Sequence, residues 1–131
     1  MDKSILFVCV ENSCRSQLAE AFVNIHGSES LKAYSAGSAP SGKVNPKAIS
    51  AMSGLGYDLS LHQSKSLDDI PDIEFEWAIT MGCGDSCPNV QARNREDWKL
   101  PNPADFDEKE FNSVRDLIEV RVKDLLGQIQ A

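Results

Sequence analysis

The sequence contains no apolar run that approaches the length of a membrane-spanning helix, and it has no excess of basic residues. Its 13 lysines and arginines are outnumbered by 20 aspartates and glutamates, which gives a formal net charge of −7. This balance disfavours nucleic acids and acidic membrane surfaces as partners. An anionic ligand would therefore have to be held by a local concentration of hydrogen-bond donors.

Repeats, low-complexity tracts and linkers are also absent, and 131 residues suffice for one domain with its own core. No signal peptide precedes the first apolar segment, so we expect a cytoplasmic protein, and we expect it to be a monomer. Thiols stay reduced in the cytosol. The four cysteines therefore indicate catalysis, redox chemistry or metal binding rather than structural disulfides.

The most informative segment runs from Cys9 to Ser16, between a buried apolar run at residues 4–8 and a helical pattern. In a Cys-x5-Arg-Ser spacing, the loop can curl so that its backbone N–H groups point inward at the positive end of the helix. Arg15 adds a planar fork of donors for two oxygens of a tetrahedral anion. The helix dipole and the arginine should hold Cys9 as a thiolate, which the Ser16 hydroxyl can stabilise.

The loop before the arginine is the predicted oxyanion cradle, which consists of Val10, Glu11, Asn12, Ser13 and Cys14 together with Arg15. Asn12 is the loop residue best able to adopt a left-handed backbone and to tie the loop to itself. The plain alternative is a buried cysteine at the end of a strand, followed by a surface arginine. Cys14 is expected to pack at the start of the helix as a small apolar residue.

Strands alternate with helices along the chain, which is typical of an α/β protein. Three buried strands are predicted at residues 4–8, 31–35 and 77–81, with a short fourth strand at 98–100. Helices are predicted at residues 15–26, after an Asn45 cap, and after an Asp107 cap. This order predicts a three-layer sandwich with a central four-stranded parallel sheet, whose ligand lies at the carboxyl ends of the strands.

A second cysteine pair, Cys83 and Cys87, follows the third predicted strand, so the topology brings it to the same edge of the sheet as Cys9. On a helix the two Cβ atoms would be about 5–6 Å apart, whereas a disulfide needs about 3.8 Å. Glycines on either side of Cys83 would make the required rearrangement easy. The segment has the composition of one that switches between reduced and oxidised forms.

A zinc site built from all four cysteines is the alternative interpretation, because their spacings lie within loose zinc limits. Arg15 beside the first pair would repel the metal, and the sequence contains no other compact group of ligands. We therefore expect no metal.

With these motifs assembled, the chain resembles the thioredoxin-coupled arsenate reductases built on the low-molecular-weight protein tyrosine phosphatase fold. The resemblance extends over nearly the whole length: residues 9–20 resemble the first-strand motif, residues 34–37 the second, and residues 44–49 and 62–64 also fit. Cys83 and Cys87 stand where the reductases carry their second and third redox cysteines. Plain phosphatases of this fold are not expected to carry that pair.

The resemblance implies that residues 1–131 form one arsenate reductase domain that converts arsenate to arsenite and serves arsenic detoxification. Cys9 would attack arsenic, Cys83 would attack the sulfur of the adduct, and Cys87 would take over the disulfide. Thioredoxin, glutaredoxin or a similar external dithiol would then reduce that disulfide, and no resident cofactor is implied.

The sequence departs from the family pattern at the general acid. The family places an aspartate before a proline after the redox segment, whereas here the dipeptide is Asn102-Pro103. Asp105 could replace the acid, or it could be a solvated surface charge. An oxygen already protonated on arsenate should need an acid less than an aryloxide leaving group does, so the change favours a reductase over a phosphatase.

Lys65 is a second departure, because some members bind potassium there through an acidic residue. The lysine ammonium could take the place of the ion and contact Asn12, Glu20 or Ser35. We therefore expect no dependence on potassium. A third departure is the three-residue spacing between Cys83 and Cys87, which is shorter than in the best-known members.

Two other functions stay open at this point. A protein tyrosine phosphatase would use Cys9, Arg15 and an acid without needing the second cysteine pair. A non-catalytic thiol redox or oxyanion-binding module is the third class. His62 is expected to be a structural hydrogen-bonding residue rather than a catalytic base.

Overall fold

The computed structural model describes residues 3–9, 12–81, 90–101, 103 and 105–130. Its helices and strands follow one another as β1 (Lys3–Val8), α1 (Arg15–His26), β2 (Leu31–Ala36), α2 (Pro46–Ser53), β3 (Phe75–Thr80), β4 (Ala92–Asp97) and α3 (Glu108–Gln130). Single turns of 3-10 helix occur at Leu59–Leu61 and Leu67–Asp69. Within the described residues, no helix is both long enough and apolar enough to span a membrane.

The four strands form one parallel sheet in the order β2-β1-β3-β4. β1 lies inside it, and its residues 5–8 are fully buried. Ile5 and Phe7 pack on the face covered by the three helices, whereas Leu6 and Val8 pack on the opposite face, against Phe75 and the segment around Leu67. The predicted α/β architecture, with a four-stranded parallel sheet at its centre, is confirmed.

The position predicted for the fourth strand, residues 98–100, is wrong, because the observed strand lies several residues earlier in the sequence. β4 ends at Asp97, and Trp98 follows it as a buried side chain whose ring lies 5.9 Å from that of Phe7. β4 lies at the edge of the sheet, so its polar and charged side chains stay in water, as in many edge strands. The apolar pattern that marks the inner strands is therefore missing from β4.

Local hydrogen bonds fix the helix starts where the sequence predicts them. The side chain of Asn45 accepts a hydrogen bond from the backbone N–H of Lys47 at 2.8 Å, and that of Asp107 accepts one from Glu110 at 2.8 Å. α1 has the predicted bounds and starts beyond the carboxyl end of β1, where Cys9 lies. The fold therefore brings the first turn of α1 to the edge of the sheet at which a ligand is expected.

Candidate active site

Cys9 lies at the carboxyl end of β1 and is 2% exposed. Its backbone N–H donates to the carbonyl of Ala36 at 3.3 Å, and the carbonyl of Val8 accepts from Met81 at 2.9 Å. The carboxyl ends of the two neighbouring strands, β2 and β3, therefore hold Cys9 in place through backbone hydrogen bonds. Val10 and Glu11, the next two residues of the predicted cradle, lie outside the described residues.

The side chain of Ser16 contacts the sulfur of Cys9. The Sγ–Oγ distance is 2.9 Å, and both groups are buried. Asn12 Nδ2 donates to the same hydroxyl oxygen at 2.8 Å. Asn12 itself has a φ of 50°, which is the left-handed conformation predicted for it. The structure thus brings the candidate nucleophile, the predicted stabilising hydroxyl and the predicted loop-ordering residue into one set of contacts.

Arg15 is the first residue of α1 and is buried, with 8% of its surface exposed. Its Nη1 donates to the carbonyl of Leu100 at 3.1 Å. A guanidinium has five N–H donors, so this bond uses one of them and fixes the plane of the group. The arginine therefore connects the start of α1 to the segment that follows β4.

The first turn of α1 is suited to an anion, because it contains no acidic residue and Cys14 provides no side-chain cap. The Cys14 thiol is buried, and Ser13 Oγ lies 3.8 Å from its sulfur. Burial raises the pKa of the Cys14 thiol above its ordinary value, although the Ser13 hydrogen bond and the Arg15 charge oppose this effect. The thiol of Cys14 is consequently neutral and packs in the core, as expected from the sequence.

A buried polar network supports the loop from below, and Gln17 is at its centre. Gln17 Nε2 lies 3.1 Å from the carbonyl oxygen of Asn12, 2.9 Å from Asn12 Oδ1 and 2.8 Å from the carbonyl oxygen of Gln63. On the other side, Gln17 Oε1 lies 3.0 Å from His62 Nδ1. The network joins α1 to residues 62–65.

His62 occupies the outer part of this network. Its Nδ1 lies 3.1 Å from Glu20 Oε2, and its Nε2 lies 2.7 Å from the hydroxyl of Tyr57. Burial lowers the pKa of His62 from 6.5, Lys65 lowers it further, and Glu20 opposes both effects. The ring is therefore neutral at pH 7 and makes structural hydrogen bonds, in agreement with its predicted role.

Gln17 and Tyr57 are absent from the set of site residues predicted from the sequence. Gln17 contacts residues about 45 positions away in the sequence, and Tyr57 joins Asn24 to His62, which no local pattern reveals. The one available signal is that Gln17 directly follows the Arg15-Ser16 motif in the first turn of a helix. A polar side chain at such a position is fully buried here.

Lys65 contacts Glu20, as expected. Its Nζ lies 3.8 Å from Glu20 Oε1, and Ser35 Oγ donates to the same carboxylate oxygen at 2.7 Å. The contact with Asn12 is made instead by the backbone N–H of Lys65, at 2.6 Å from Oδ1. In the part of the chain that the structure describes, no group of three or more His, Cys, Asp or Glu side chains could hold a metal ion.

Several predicted site residues are not tested by the structure. Cys83, Cys87 and Asn102 lie outside the described residues. Asp105 is described and is exposed at the surface, five residues after the carbonyl of Leu100 that Arg15 contacts. The structure thus shows the nucleophile side of the site and one anchor of the segment that carries the candidate acid.

The family of this chain follows from a family model. The model of the low molecular weight phosphotyrosine protein phosphatases matches residues 4–131. The chain belongs to this phosphatase family. Among curated relatives of this family member, an arsenate reductase of Staphylococcus aureus is 39% identical over 125 residues, which are 92% of this chain and 94% of the relative. A glutaredoxin arsenate reductase of Synechocystis is 34% identical over 130 residues, or 97% and 98% of the two chains.

Among solved structures, arsenate reductases also resemble this protein. An arsenate reductase in the phosphate binding state superposes with a TM-score of 0.88 at 34% identity, covering 97% of this chain and 98% of that one. A thioredoxin-dependent arsenate reductase of Corynebacterium glutamicum has a TM-score of 0.80 at 30% identity, covering 98% of this chain and 62% of that one. The resemblance inferred from the sequence motifs is thereby confirmed.

Proposed function

We propose that this protein is an arsenate reductase that acts through a relay of three thiols. The observation that carries the proposal is the contact of Cys9 Sγ with Ser16 Oγ at the start of a helix whose first residue is Arg15. The names of the relatives support arsenate as the substrate. The presence of Cys83 and Cys87 in the sequence supports the relay, because hydrolysis of a phosphate ester would need neither residue.

In the first step, arsenate binds at the amino terminus of α1, where backbone N–H groups and Arg15 hold its oxygens. The Cys9 thiolate attacks arsenic and forms an As–S bond. One arsenate oxygen takes up protons and leaves as water. The hydrogen bond from Ser16 favours the thiolate over the thiol before the attack.

In the second step, the Cys83 thiolate attacks the sulfur of Cys9. The As–S bond breaks, its electron pair remains on arsenic, and arsenite leaves while a Cys9–Cys83 disulfide forms. The described contacts support an approach of Cys83 to Cys9. The backbone N–H of Met81 donates a hydrogen bond to the carbonyl of Val8, the residue directly before Cys9. Cys83 follows Met81 by two residues, and two Cα–Cα steps span at most about 7.6 Å.

In the third step, Cys87 attacks Cys83, so the disulfide moves to the Cys83–Cys87 pair and Cys9 becomes a free thiolate again. An external dithiol then reduces this pair and is itself oxidised to a disulfide. One relative is named a glutaredoxin arsenate reductase, and one structural neighbour is a thioredoxin-dependent arsenate reductase. Either glutaredoxin or thioredoxin is therefore a suitable partner. A single domain over residues 1–131, a monomer and a cytoplasmic location remain predictions.

The proposal is tested by arsenate turnover with thioredoxin, thioredoxin reductase and NADPH, and in parallel with glutaredoxin and glutathione. Cys83→Ala should abolish turnover, since the Cys9 adduct can no longer be resolved by the protein. Cys87→Ala should release one arsenite per protein molecule and then stop as a Cys9–Cys83 disulfide, detectable by mass spectrometry. Ser86→Ala lies between the two cysteines and serves as the control for disturbance of the segment.

The same preparations should be assayed with an aryl phosphate, because the family also contains phosphatases. We expect weak hydrolysis that Cys83→Ala leaves unchanged. Catalytic arsenate turnover by Cys83→Ala at the parent rate would refute the relay. Efficient phosphate hydrolysis without arsenate turnover in the parent would identify a phosphatase instead.

A further inference from the structure

We infer that Gln17 is a positioning residue for Cys9. A chain of hydrogen bonds runs from His62 through Gln17, Asn12 and Ser16, and groups of fixed polarity force the hydroxyl hydrogen of Ser16 onto Cys9 Sγ. The inference rests on the proposed function only in that it concerns the same nucleophile.

The orientation of the Gln17 amide is set by two backbone carbonyls. The carbonyl oxygens of Asn12 and Gln63 lie 3.1 and 2.8 Å from Gln17 Nε2, and a carbonyl can only accept. The nitrogen must therefore lie on that side, where it also donates to Asn12 Oδ1 at 2.9 Å. The amide oxygen is then left facing His62.

The ring of His62 has one possible tautomer in this arrangement. Its Nδ1 faces Gln17 Oε1 at 3.0 Å and Glu20 Oε2 at 3.1 Å, and both oxygens accept. Nδ1 therefore carries the hydrogen, and Nε2 accepts from the Tyr57 hydroxyl at 2.7 Å. The Tyr57 oxygen in turn accepts from Asn24 Nδ2 at 3.0 Å. Burial raises the pKa of Tyr57, so its hydroxyl stays protonated and can donate a hydrogen bond.

The side chain of Asn12 is oriented in the same way. The backbone N–H of Lys65 can only donate, and it lies 2.6 Å from Asn12 Oδ1. Nδ2 must therefore point to Ser16 Oγ, which accepts from it at 2.8 Å. The hydroxyl hydrogen of Ser16 is then directed at Cys9 Sγ, 2.9 Å away. A sulfur that receives this hydrogen is stabilised as a thiolate.

Water cannot repair a broken link in the inner part of this chain. Asn12, Ser16 and Gln17 are fully buried, so a lost donor leaves an unpaired polar group. Without Gln17 Nε2, the Asn12 amide loses one of the two donors that fix its orientation, and the constraint on the Ser16 hydroxyl weakens. In this way Gln17, which acts through Asn12 and Ser16, can change the reactivity of the Cys9 sulfur.

The test is the pH dependence of iodoacetamide labelling, with the label assigned to Cys9 by fragment-ion mass spectrometry. Gln17→Met keeps the length of the side chain and removes its donors. We expect the pH midpoint of labelling to rise by about one unit, so that labelling below the midpoint becomes about tenfold slower. Gln128→Met, on the exposed face of α3, is the matched control and should keep the parent midpoint.

A double-mutant cycle separates positioning from general loosening of the fold. Ser16→Ala should raise the labelling midpoint by itself, and Gln17→Met added to Ser16→Ala should raise it no further, because Gln17 acts through Ser16. A second shift of equal size in the Ser16→Ala background would overturn the inference. So would a folded Gln17→Met protein with the parent midpoint.

Tyr57→Phe keeps the inference falsifiable if Gln17→Met does not fold. It removes the donor that holds His62 Nε2 from a half-buried side chain, and we expect labelling at neutral pH to slow two- to threefold. Tyr34→Phe, whose ring packs on Phe75, is its control. Equal labelling of the two tyrosine variants would overturn the inference. Labelling needs neither arsenate nor a reductant, so its outcome is independent of the reductase assay.

Discussion

The two sides of the candidate site are built in different ways. On the nucleophile side, Ser16 and Gln17 are fully buried, and backbone groups of fixed polarity orient the side-chain amides of Asn12 and Gln17. On the other side, the hydrogen bond found between the site and the described part of the segment after β4 runs from Arg15 to the carbonyl of Leu100, and Asp105 is exposed. The comparison teaches that the described contacts fix the side chains around Cys9, the candidate nucleophile, more firmly than they fix Asp105, the candidate acid.

The largest effect is expected at Arg15, which belongs to both sides. Arg15→Lys removes the planar fork of donors, so arsenate kcat/KM should fall about a hundredfold. Arg115→Lys is the matched control, because Arg115 also donates to a backbone carbonyl, that of Ala51 at 3.0 Å, but lies on α3. Steady-state kinetics with a thioredoxin system measures both. If Arg15→Lys retained half of the parent activity, the arginine would not be the anion clamp.

The buried network beneath the loop should make the protein less stable in acid. The pKa of His62 is lowered in the folded state, mainly by burial, so the unfolded chain binds a proton more readily. The stabilisation is complete above the ordinary histidine pKa of 6.5 and is lost as the pH falls below it. Urea unfolding between pH 7.5 and 5.5 should show the parent losing free energy of unfolding over this window more steeply than His62→Asn. Parallel profiles would assign the acid sensitivity to other groups.

A smaller effect is expected on the exposed side of the site. Asp105→Ala should change arsenate kcat less than twofold and leave its pH profile unshifted, since an exposed carboxylate is not held against a leaving oxygen. Asp72→Ala, also exposed and between secondary-structure elements, controls for the loss of one surface charge. A basic limb of the pH profile that disappears only in Asp105→Ala would show that this residue supplies the proton.

No effect is expected from replacing sodium with potassium. The ammonium of Lys65 already lies 3.8 Å from the Glu20 carboxylate, so a monovalent cation has little to add. Arsenate turnover at equal ionic strength in the two salts should agree within experimental error. A clear increase with potassium would mean that the ion binds elsewhere or displaces the lysine.

The parts of the fold predicted from the sequence are those set by local chemistry. β1 is recognised because it is buried on both faces, and the helix starts are recognised because Asn45 and Asp107 cap them. β4 is misplaced because an edge strand keeps its polar side chains in water. The Cys9–Ser16 contact is predictable because both residues lie in one short motif.

The supporting network could not be predicted in the same way. The contact between Gln17 and His62 depends on how residues 62–65 return to α1, which is decided by packing over the whole domain. Tyr57 joins the network through His62 and Asn24, and it lies outside the sequence motifs of the site. The family resemblance does predict that the Lys65 ammonium contacts Asn12, Glu20 or Ser35, and the structure shows the contact with Glu20.

Helix α1 connects the protein surface to the buried network through Asn24. The helix carries Ser16 in its first turn and Asn24 about two turns later, roughly 12 Å away along its axis. Asn24 is solvent-exposed, yet it donates to the hydroxyl of Tyr57, which contacts Nε2 of His62. The hydrogen-bonded chain inferred to act on Cys9 therefore begins at the protein surface, at an amide that can be replaced without changing any buried residue of the candidate site.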